Sequence, residues 1–296
     1  MEHAQFLKEA AIHQTEFKEK IMGCKNYRKF ADKTVKYWLT DEDGKDGKIY
    51  YDGFGILKNV RKRYPNFDAM RDSNMLRSEH IPFNLFIPFK QDLGFSKQVF
   101  NEILGNIKSI DKIEIEYAPS PKENYLNDRT SFDTYIEYTH SDNSKGIIAI
   151  EVKYTEKEYP LKKGSKQEKE INDENGKYYF LTKECGIYKP NVIDKLKTDL
   201  FRQIWRNHLL AESILLFEKD KFKHAHSLIF YPKENKHFAE AGNEYSEMLV
   251  DNKDNKFGFI TFEQFIEKCR KYCPNNEFEN WIDYLQKRYI INNVLI

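Results

Sequence analysis

Three ionisable residues of the sequence, Asp133, Glu151 and Lys153, have types and spacing that could perform chemistry together. The apolar run GIIAI, typical of a strand buried on both faces, leads into Glu151 and Lys153. Residues two apart on a strand point to the same face, so these two side chains should emerge side by side. Converging carboxylates offer the hard oxygen ligands that Mg²⁺ accepts, and a nearby lysine can hold or deprotonate a water. The three residues therefore predict metal-assisted hydrolysis of a phosphodiester bond.

Asp133 joins the other two residues only in certain registers of its strand, which is predicted at 131–139 and followed by the loop HSDNSKG. An antiparallel hairpin centred on Asp142 places Asp133 opposite Glu151, and one centred on Asn143 places it opposite Lys153. A two-residue turn would send Asp133 to the other face of the sheet. The sequence leaves the first two registers open.

Acid and lysine at this spacing are common in so charged a chain. The same spacing begins at Glu16, Asp43, Asp46, Glu234, Asp251 and Asp254. The alternative interpretation of Glu151 and Lys153 is an ion pair on a solvated sheet face. An apolar strand argues against it, because charges on a covered strand are costly unless they are paired or bind metal.

The elements that must position these residues follow from periodicity and breakers. Alternation at 113–117 predicts a strand before that of Asp133, and HSLIFYP predicts a fourth strand from His226. Helices are predicted at 2–22, from Ser78 to the residue before Pro88, from Ser96, at 191–217 with Asn191 as N-cap, at 261–273 and at 277–289. The charged stretch 155–177 is expected to be a surface excursion.

Composition limits the class of protein. The 48 Lys and Arg nearly balance the 47 Asp and Glu, so a polyanion would have to bind a local patch. Four cysteines without zinc-site spacing favour a reducing cytoplasm, and His224, His226 and His237 with Cys269 and Cys273 match no usual zinc motif. No leader and no membrane span are expected, since no apolar stretch is long enough.

Several longer motifs resemble a known family. The segments SEHIPFNLFIPF, RTSFD, IEVKYTE and QIWRNHLLAES resemble bacterial restriction endonucleases of the PD-(D/E)XK nuclease superfamily, over about residues 77–232. Phe132 stands where the motif name has proline. The resemblance implies an α/β fold with a restriction-endonuclease-like core, a mixed central sheet flanked by helices in the order α-β-β-β-α-β. This core is expected at 72–235, with a mainly helical region at 1–71 and a helical extension at 236–296.

The resemblance also implies roles for residues. Asp133, Glu151 and Glu79 would hold Mg²⁺, with Mn²⁺ as a substitute, and Lys153 would act on the water. Gln203 would approach the metal water or the scissile phosphate, and Arg206 and Asn207 share its helix face. DNA contacts are expected from these last two, from Arg129 and from the basic run Lys58, Arg61, Lys62 and Arg63, for which a solvated helix face is the alternative.

Together with these residues, the resemblance implies a Mg²⁺-dependent DNA endonuclease of a restriction system, for which a separately acting DNA methyltransferase is a possible partner. One alternative is a catalytically silent nucleic-acid-binding or complex-forming subunit, and another is a nuclease for RNA or branched DNA. The apolar tail YIINNVLI could pack as an extra strand or as a homodimer contact, and the sequence favours neither.

Overall fold

Side chains that favour strands, chiefly isoleucine, tyrosine and phenylalanine, fill the central sheet. The computed structural model describes residues 3–30, 33–158, 160–250 and 256–291. Its strands are β1 (Arg28–Phe30), β2 (Lys33–Val35), β3 (Ile107–Tyr117), β4 (Phe132–His140), β5 (Lys145–Val152), β6 (His224–Tyr231) and β7 (Phe257–Thr261). Its α-helices are α1 (His3–Lys20), α2 (Asp41–Lys45), α3 (Ile56–Arg63), α4 (Ala69–Ser73), α5 (Ile81–Phe86), α6 (Leu93–Leu104), α7 (Lys166–Asn172), α8 (Lys177–Glu184), α9 (Ile193–Leu196), α10 (Asp199–Phe217), α11 (Lys236–Glu247), α12 (Phe262–Lys271) and α13 (Asn276–Tyr289).

The central sheet is mixed, with its strands in the order β3-β4-β5-β6-β7. β3, β4 and β5 pair antiparallel, whereas β5, β6 and β7 pair parallel. The crossover from β5 to β6 contains α10, which packs on both strands. The predicted fold class is confirmed: a mixed sheet lies between helices, and α6, β3, β4, β5, α10 and β6 follow the expected order.

β5 is covered on both faces, as its apolar sequence predicts. Ile148 and Ile150 belong to the hydrophobic core formed with α1, α5, α6, α12 and α13. Ile147 and Ala149 belong to a second core under α8, α10 and α11. Any charge at the end of this strand is therefore placed between two apolar layers.

The expected helical extension at 236–296 is wrong in one respect, because it contributes β7 to the sheet. β7 pairs parallel with β6, and Ile229 lies beside Phe259. The run FGFIT is short and contains Gly258, a residue that weakens an isolated strand signal. β7 is stabilised by its hydrogen bonds to β6, and this pairing cannot be predicted from the local sequence of β7.

The N-terminal and C-terminal regions pack on the central sheet. Phe17 of α1, Ile148 of β5 and Trp281 of α13 lie in one hydrophobic core. The N-terminal region also contains the short hairpin of β1 and β2, which was not expected. The boundaries after residues 71 and 235 stay predictions, since all three segments bury their side chains together.

Two predicted helix starts are wrong near the sheet. The helix expected from Ser78 begins at Ile81, after a turn in which the Ser78 amide donates to Glu156 Oε1 at 2.7 Å. The helix expected from Ser96 is α6, which begins at Leu93 and is capped by Asp92, whose carboxylate accepts from the Phe95 amide at 2.8 Å.

The helix predicted at 191–217 is divided. Asn191 has a φ of 64°, outside the helical region, and Thr198 is extended between α9 and α10.

The predicted surface excursion at 155–177 contains α7, capped by Ser165, whose hydroxyl accepts from the Glu168 amide at 3.2 Å. Within the described ranges, no helix has the length and apolar character needed to cross a membrane. Residues 292–296 of the apolar tail lie outside the described residues.

Candidate active site

Three carboxylates lie side by side across the first three strands of the central sheet. Thr134 of β4 pairs with Ile150 of β5, which places Asp133 opposite Glu151 in the register centred on the hairpin residue 142. On the other side of β4, Ile115 pairs with Thr134, which places Glu116 of β3 opposite Asp133. Adjacent strands are about 4.8 Å apart, so one divalent ion can lie within reach of more than one of these groups.

Glu151 is the most tightly held of the three. Its Oε1 accepts from Lys153 Nζ and from Gln203 Nε2 at 2.8 Å, and its Oε2 accepts from Asn207 Nδ2. Glu151 is 7% exposed and Lys153 is 3% exposed. The Lys153 amide donates to the Phe230 carbonyl at 2.8 Å, which fixes the backbone beyond the end of β5. α10 thus orients the carboxylate before any ligand binds.

Asp133 is held by the backbone of the neighbouring strand. Its Oδ2 accepts from the Val152 amide at 2.6 Å. Burial raises the pKa of Asp133 well above its ordinary value, and the charges of Glu151 and Glu116 raise it further, although Lys153 and the Val152 amide act in the opposite direction. A carboxylate whose charged form is so disfavoured is suited to binding a cation, which removes the repulsion.

Glu116 is a member of this group that the sequence analysis missed. Burial raises its pKa to about 7, opposed by a hydrogen bond from Tyr64 and assisted by the charge of Glu151. Its φ of 57° is left-handed, which departs from regular strand geometry. The alternation of polar and apolar residues in β3 indicated that the Glu116 side chain is solvated. The one feature of the sequence that could have identified Glu116 as a site residue is the position of an acid at the end of a strand.

Glu79 lies in the turn before α5 rather than on a helix, and lines the same cleft. Arg77 pairs with it, with Arg77 NH2 2.7 Å from Glu79 Oε1. Two residues of the IEVKYTE segment hold this turn against the sheet. Thr155 Oγ1 donates to the Leu76 carbonyl at 2.8 Å, and Glu156 accepts from the Ser78 amide. Thr155 and Glu156 were missed as positioning residues, although the segment that contains them was noted.

A cleft of about 510 Å³ opens over these groups. It is lined by Glu79, Glu116, Asp133, Glu151, Lys153 and Gln203, and by Arg71 and Arg77. Five carboxyl groups, those four and Asp68, line this open cleft with one lysine, and carboxylate oxygens are hard ligands that fit a divalent cation. The residues expected to hold the metal, Glu79, Asp133 and Glu151, are therefore brought together.

The basic run of α3 is not brought to this cleft as a unit. Arg61 faces α4 and pairs with Asp72 at 3.3 Å. Lys58 and Lys62 line a separate groove of about 690 Å³. Arg63 lies over the Tyr64 ring at 5.0 Å, and its charge lowers the pKa of Glu116. Of the four basic residues of α3, Arg63 is therefore the one near the carboxyl groups of the cleft. Helical periodicity separates residues that are adjacent in sequence.

Arg206 is directed away from Glu151, unlike its helix neighbours Gln203 and Asn207. Its NH2 group donates to Asp128 Oδ2 at 2.9 Å and to Thr130 Oγ1 at 2.6 Å, and its Nε donates to the Tyr178 hydroxyl at 2.9 Å. Exposed Arg129 lies beside it in a groove that also contains Lys122 and Lys166. The face predicted for residues 203, 206 and 207 is therefore divided between two sites.

Neutralising Glu116 should change how stability depends on pH. With a folded pKa of about 7 against an ordinary 4.5, the folded chain holds this proton more tightly than the unfolded chain. The stabilisation is complete below pH 4.5 and is lost as the pH rises to about 7. Urea unfolding of metal-free protein should therefore show a smaller fall in unfolding free energy across this window for Glu116→Gln. Glu114→Gln, two residues away at the surface, is the control, and equal slopes for both variants would contradict the assignment.

A family model described as PD-(D/E)XK nuclease superfamily matches residues 3–291. The chain has no match among the curated proteins or among the solved structures.

Proposed function

Because the chain belongs to the PD-(D/E)XK nuclease superfamily, we propose that it is a Mg²⁺-dependent DNA endonuclease of a restriction system directed against foreign DNA. The observation that carries the proposal is the lateral row of Asp133 and Glu151 with Lys153 beside them, in an open cleft. A silent member of the fold would have no need of a buried and a half-buried carboxylate whose charges repel each other.

The residues of the cleft would share the tasks of metal binding and water activation. Asp133 and Glu151 would hold the ion, with Glu79 and Glu116 in the same cleft as further oxygen donors. When bound, Mg²⁺ acts as a Lewis acid on the scissile phosphate and activates water, and Mn²⁺ should replace it. Lys153, held against Glu151, is placed to hold or deprotonate the attacking water. Gln203 orients Glu151 through its hydrogen bond and so acts as a positioning residue.

Positive charge near the cleft supports a polyanionic substrate. Arg71 and Arg77 line the cleft, where each is paired with an acid: Arg71 with Asp72 at 2.7 Å and Arg77 with Glu79. These pairs hold both guanidinium groups in fixed positions at the wall of the cleft. Phosphates that approach would find guanidinium groups already ordered, while the net charge of the chain stays near zero.

The test is incubation of the full chain with supercoiled plasmid in Mg²⁺, in Mn²⁺ and in EDTA. We expect nicked and linear products with either ion and none with EDTA. Parallel reactions with single-stranded DNA, branched DNA and RNA compare substrate classes, and methylated plasmid tests the role in restriction. Salt-sensitive DNA binding with no cleavage of any substrate would instead favour a silent binding subunit. A neighbouring methyltransferase gene would support restriction.

Arg129 and Arg206 should respond differently to alanine substitution, although they line one groove. Arg206→Ala leaves the half-buried Asp128 without its cation and should lower the unfolding free energy by roughly 3 kcal/mol. Arg129→Ala removes an exposed cation, so the unfolding free energy should not change. DNA binding should weaken, and the salt dependence of DNA binding should fall by about one phosphate contact. Thermal melts and DNA titrations at several salt concentrations measure both effects. Unchanged DNA affinity in Arg129→Ala would remove this groove from the DNA contact surface.

A further inference from the structure

A second group of possible metal ligands lies at the end of the sheet opposite the cleft. His140 ends β4, Asp142 lies in the turn to β5, and His224 begins β6. One ligand atom from each side chain lies within 4.8 Å of those of the other two. Seven residues of β4 separate His140 from Asp133, roughly 23 Å along an extended strand. This group is therefore independent of the candidate active site.

The spacing of the ligand atoms is close to that of a tetrahedral ion. His140 Nδ1 lies 3.0 Å from Asp142 Oδ1, and His224 Nε2 lies 3.7 Å from Asp142 Oδ2. Two ligand atoms bound to tetrahedral Zn²⁺ at about 2.0 to 2.2 Å are about 3.4 Å apart, between these two values. An ion that binds all three would require the two imidazole rings to turn out of their present stack, because a metal lies in the plane of each ring that it binds.

The hairpin and Ser144 hold the three side chains together without a metal: His140 Nδ1 accepts from the Asp142 amide at 3.3 Å, and His224 Nε2 lies 2.9 Å from Ser144 Oγ. Ser144 donates to Asp142 Oδ1 through its amide at 2.8 Å and its hydroxyl at 2.6 Å. The His140 amide donates to the Ser144 carbonyl at 2.8 Å, which closes the hairpin. His224 is paired with Gly146 on the parallel neighbour, so its ring stacks on that of His140 with centroids 4.2 Å apart. The three side chains are thus ordered before an ion binds, and binding would replace the hydrogen bonds at His140 Nδ1 and His224 Nε2.

The donor types select the kind of ion. Two imidazole nitrogens and one carboxylate oxygen suit Zn²⁺ and similar transition ions, whereas Mg²⁺ prefers an all-oxygen set such as the cleft provides. Asp142 is exposed and both histidines are half-buried, which gives an ion access and leaves a coordination position open to water. We propose that His140, Asp142 and His224 form a Zn²⁺-type site that links the β4–β5 turn to the start of β6.

Zn²⁺ binding is measured on the full chain carrying Asp133→Asn, which weakens competing binding in the cleft. Calorimetric titration should show one equivalent of Zn²⁺, and Co²⁺ should give the visible absorption of a tetrahedral site. In this background His224→Ala, or Asp142→Asn should the first variant fold poorly, should weaken Zn²⁺ binding at least about 100-fold. His226→Ala is the matched control, because His226 lies two residues along β6 and hydrogen-bonds to Tyr138 at 2.9 Å.

Zn²⁺ should also raise the melting temperature of the Asp133→Asn chain and of its His226→Ala derivative, but not of its His224→Ala derivative. Absence of Zn²⁺ binding in the Asp133→Asn chain would overturn the proposal. Binding that survives both His224→Ala and Asp142→Asn would overturn it as well. These readouts do not depend on cleavage, so a failure of the proposed nuclease function would leave the test intact.

Discussion

Asp133→Asn is expected to abolish plasmid cleavage and, at the same time, to make the metal-free protein more stable. The carboxylate is half-buried beside Glu116 and Glu151, and burial and these two neighbouring charges raise the pKa of Asp133, so its charged form is disfavoured. An amide keeps an oxygen that can accept from the Val152 amide but removes the repulsion. Loss of a metal ligand removes several kcal/mol of transition-state stabilisation, or about 10³-fold or more in rate.

Cleavage rates with Mg²⁺ and melting temperatures with and without Mg²⁺ measure both halves of this expectation. Mg²⁺ should raise the melting temperature of the parent chain and have little effect on Asp133→Asn, because a ligand that binds only the folded state stabilises it. Glu137→Gln is the matched control, since Glu137 lies on the same strand and pairs with Lys221 away from the cleft. Cleavage by Asp133→Asn at the parent rate would exclude Asp133 from the site.

Lys153→Met is expected to lower the cleavage rate by about 10² to 10⁴-fold while metal binding remains. Methionine keeps the length of the side chain and removes the group proposed to act on the water. The variant also leaves the buried carboxylate of Glu151 with two amide donors and no cation, which should cost about 3 kcal/mol of stability in the absence of metal. Mg²⁺ should therefore stabilise Lys153→Met more than it stabilises the parent chain.

Lys145→Met is the control for this substitution, because Lys145 lies on the same strand but is exposed and pairs with Asp111 at 2.8 Å. Single-turnover cleavage separates the chemical step from DNA binding, and melting temperatures across a Mg²⁺ titration report metal binding. A variant that cuts normally would show that Lys153 serves only as the counter-ion of Glu151. A variant that neither cuts nor responds to Mg²⁺ would show that Lys153 organises the metal ligands.

Local sequence predicted the strands of the candidate site well. Alternation at 113–117 and the apolar run before Glu151 both indicate strands, because the period of two and the burial of β-branched residues are local properties. The same patterns placed Glu151 and Lys153 on one face, next to the strand of Asp133. The motif resemblance added Glu79 and Gln203, and the structure places both in the cleft.

Local sequence could not predict the features of the site that depend on contacts between residues distant in the chain. The sequence allowed two registers of the β4–β5 hairpin. The structure has the register centred on Asp142, with Asn143 at a φ of 71° in the turn. Glu116 was missed because the register between β3 and β4 is not encoded in either strand alone. Glu156, which accepts from the Ser78 amide in the turn before α5, lies 78 positions later in the chain.

The sequence by itself thus determined the strands of the site and the approximate position of its long helix, the identity of three of its ionisable residues and the chemistry that they suit. Hydrophobic period, caps and turn residues act over a few residues, so they are legible in the chain. The tertiary structure alone decided which acids share the cleft, which arginines are tied to other carboxylates, and which histidines meet at the far end of the sheet. Strand register and helix orientation are set by side chains that are distant in sequence, and these set the distances on which metal binding depends.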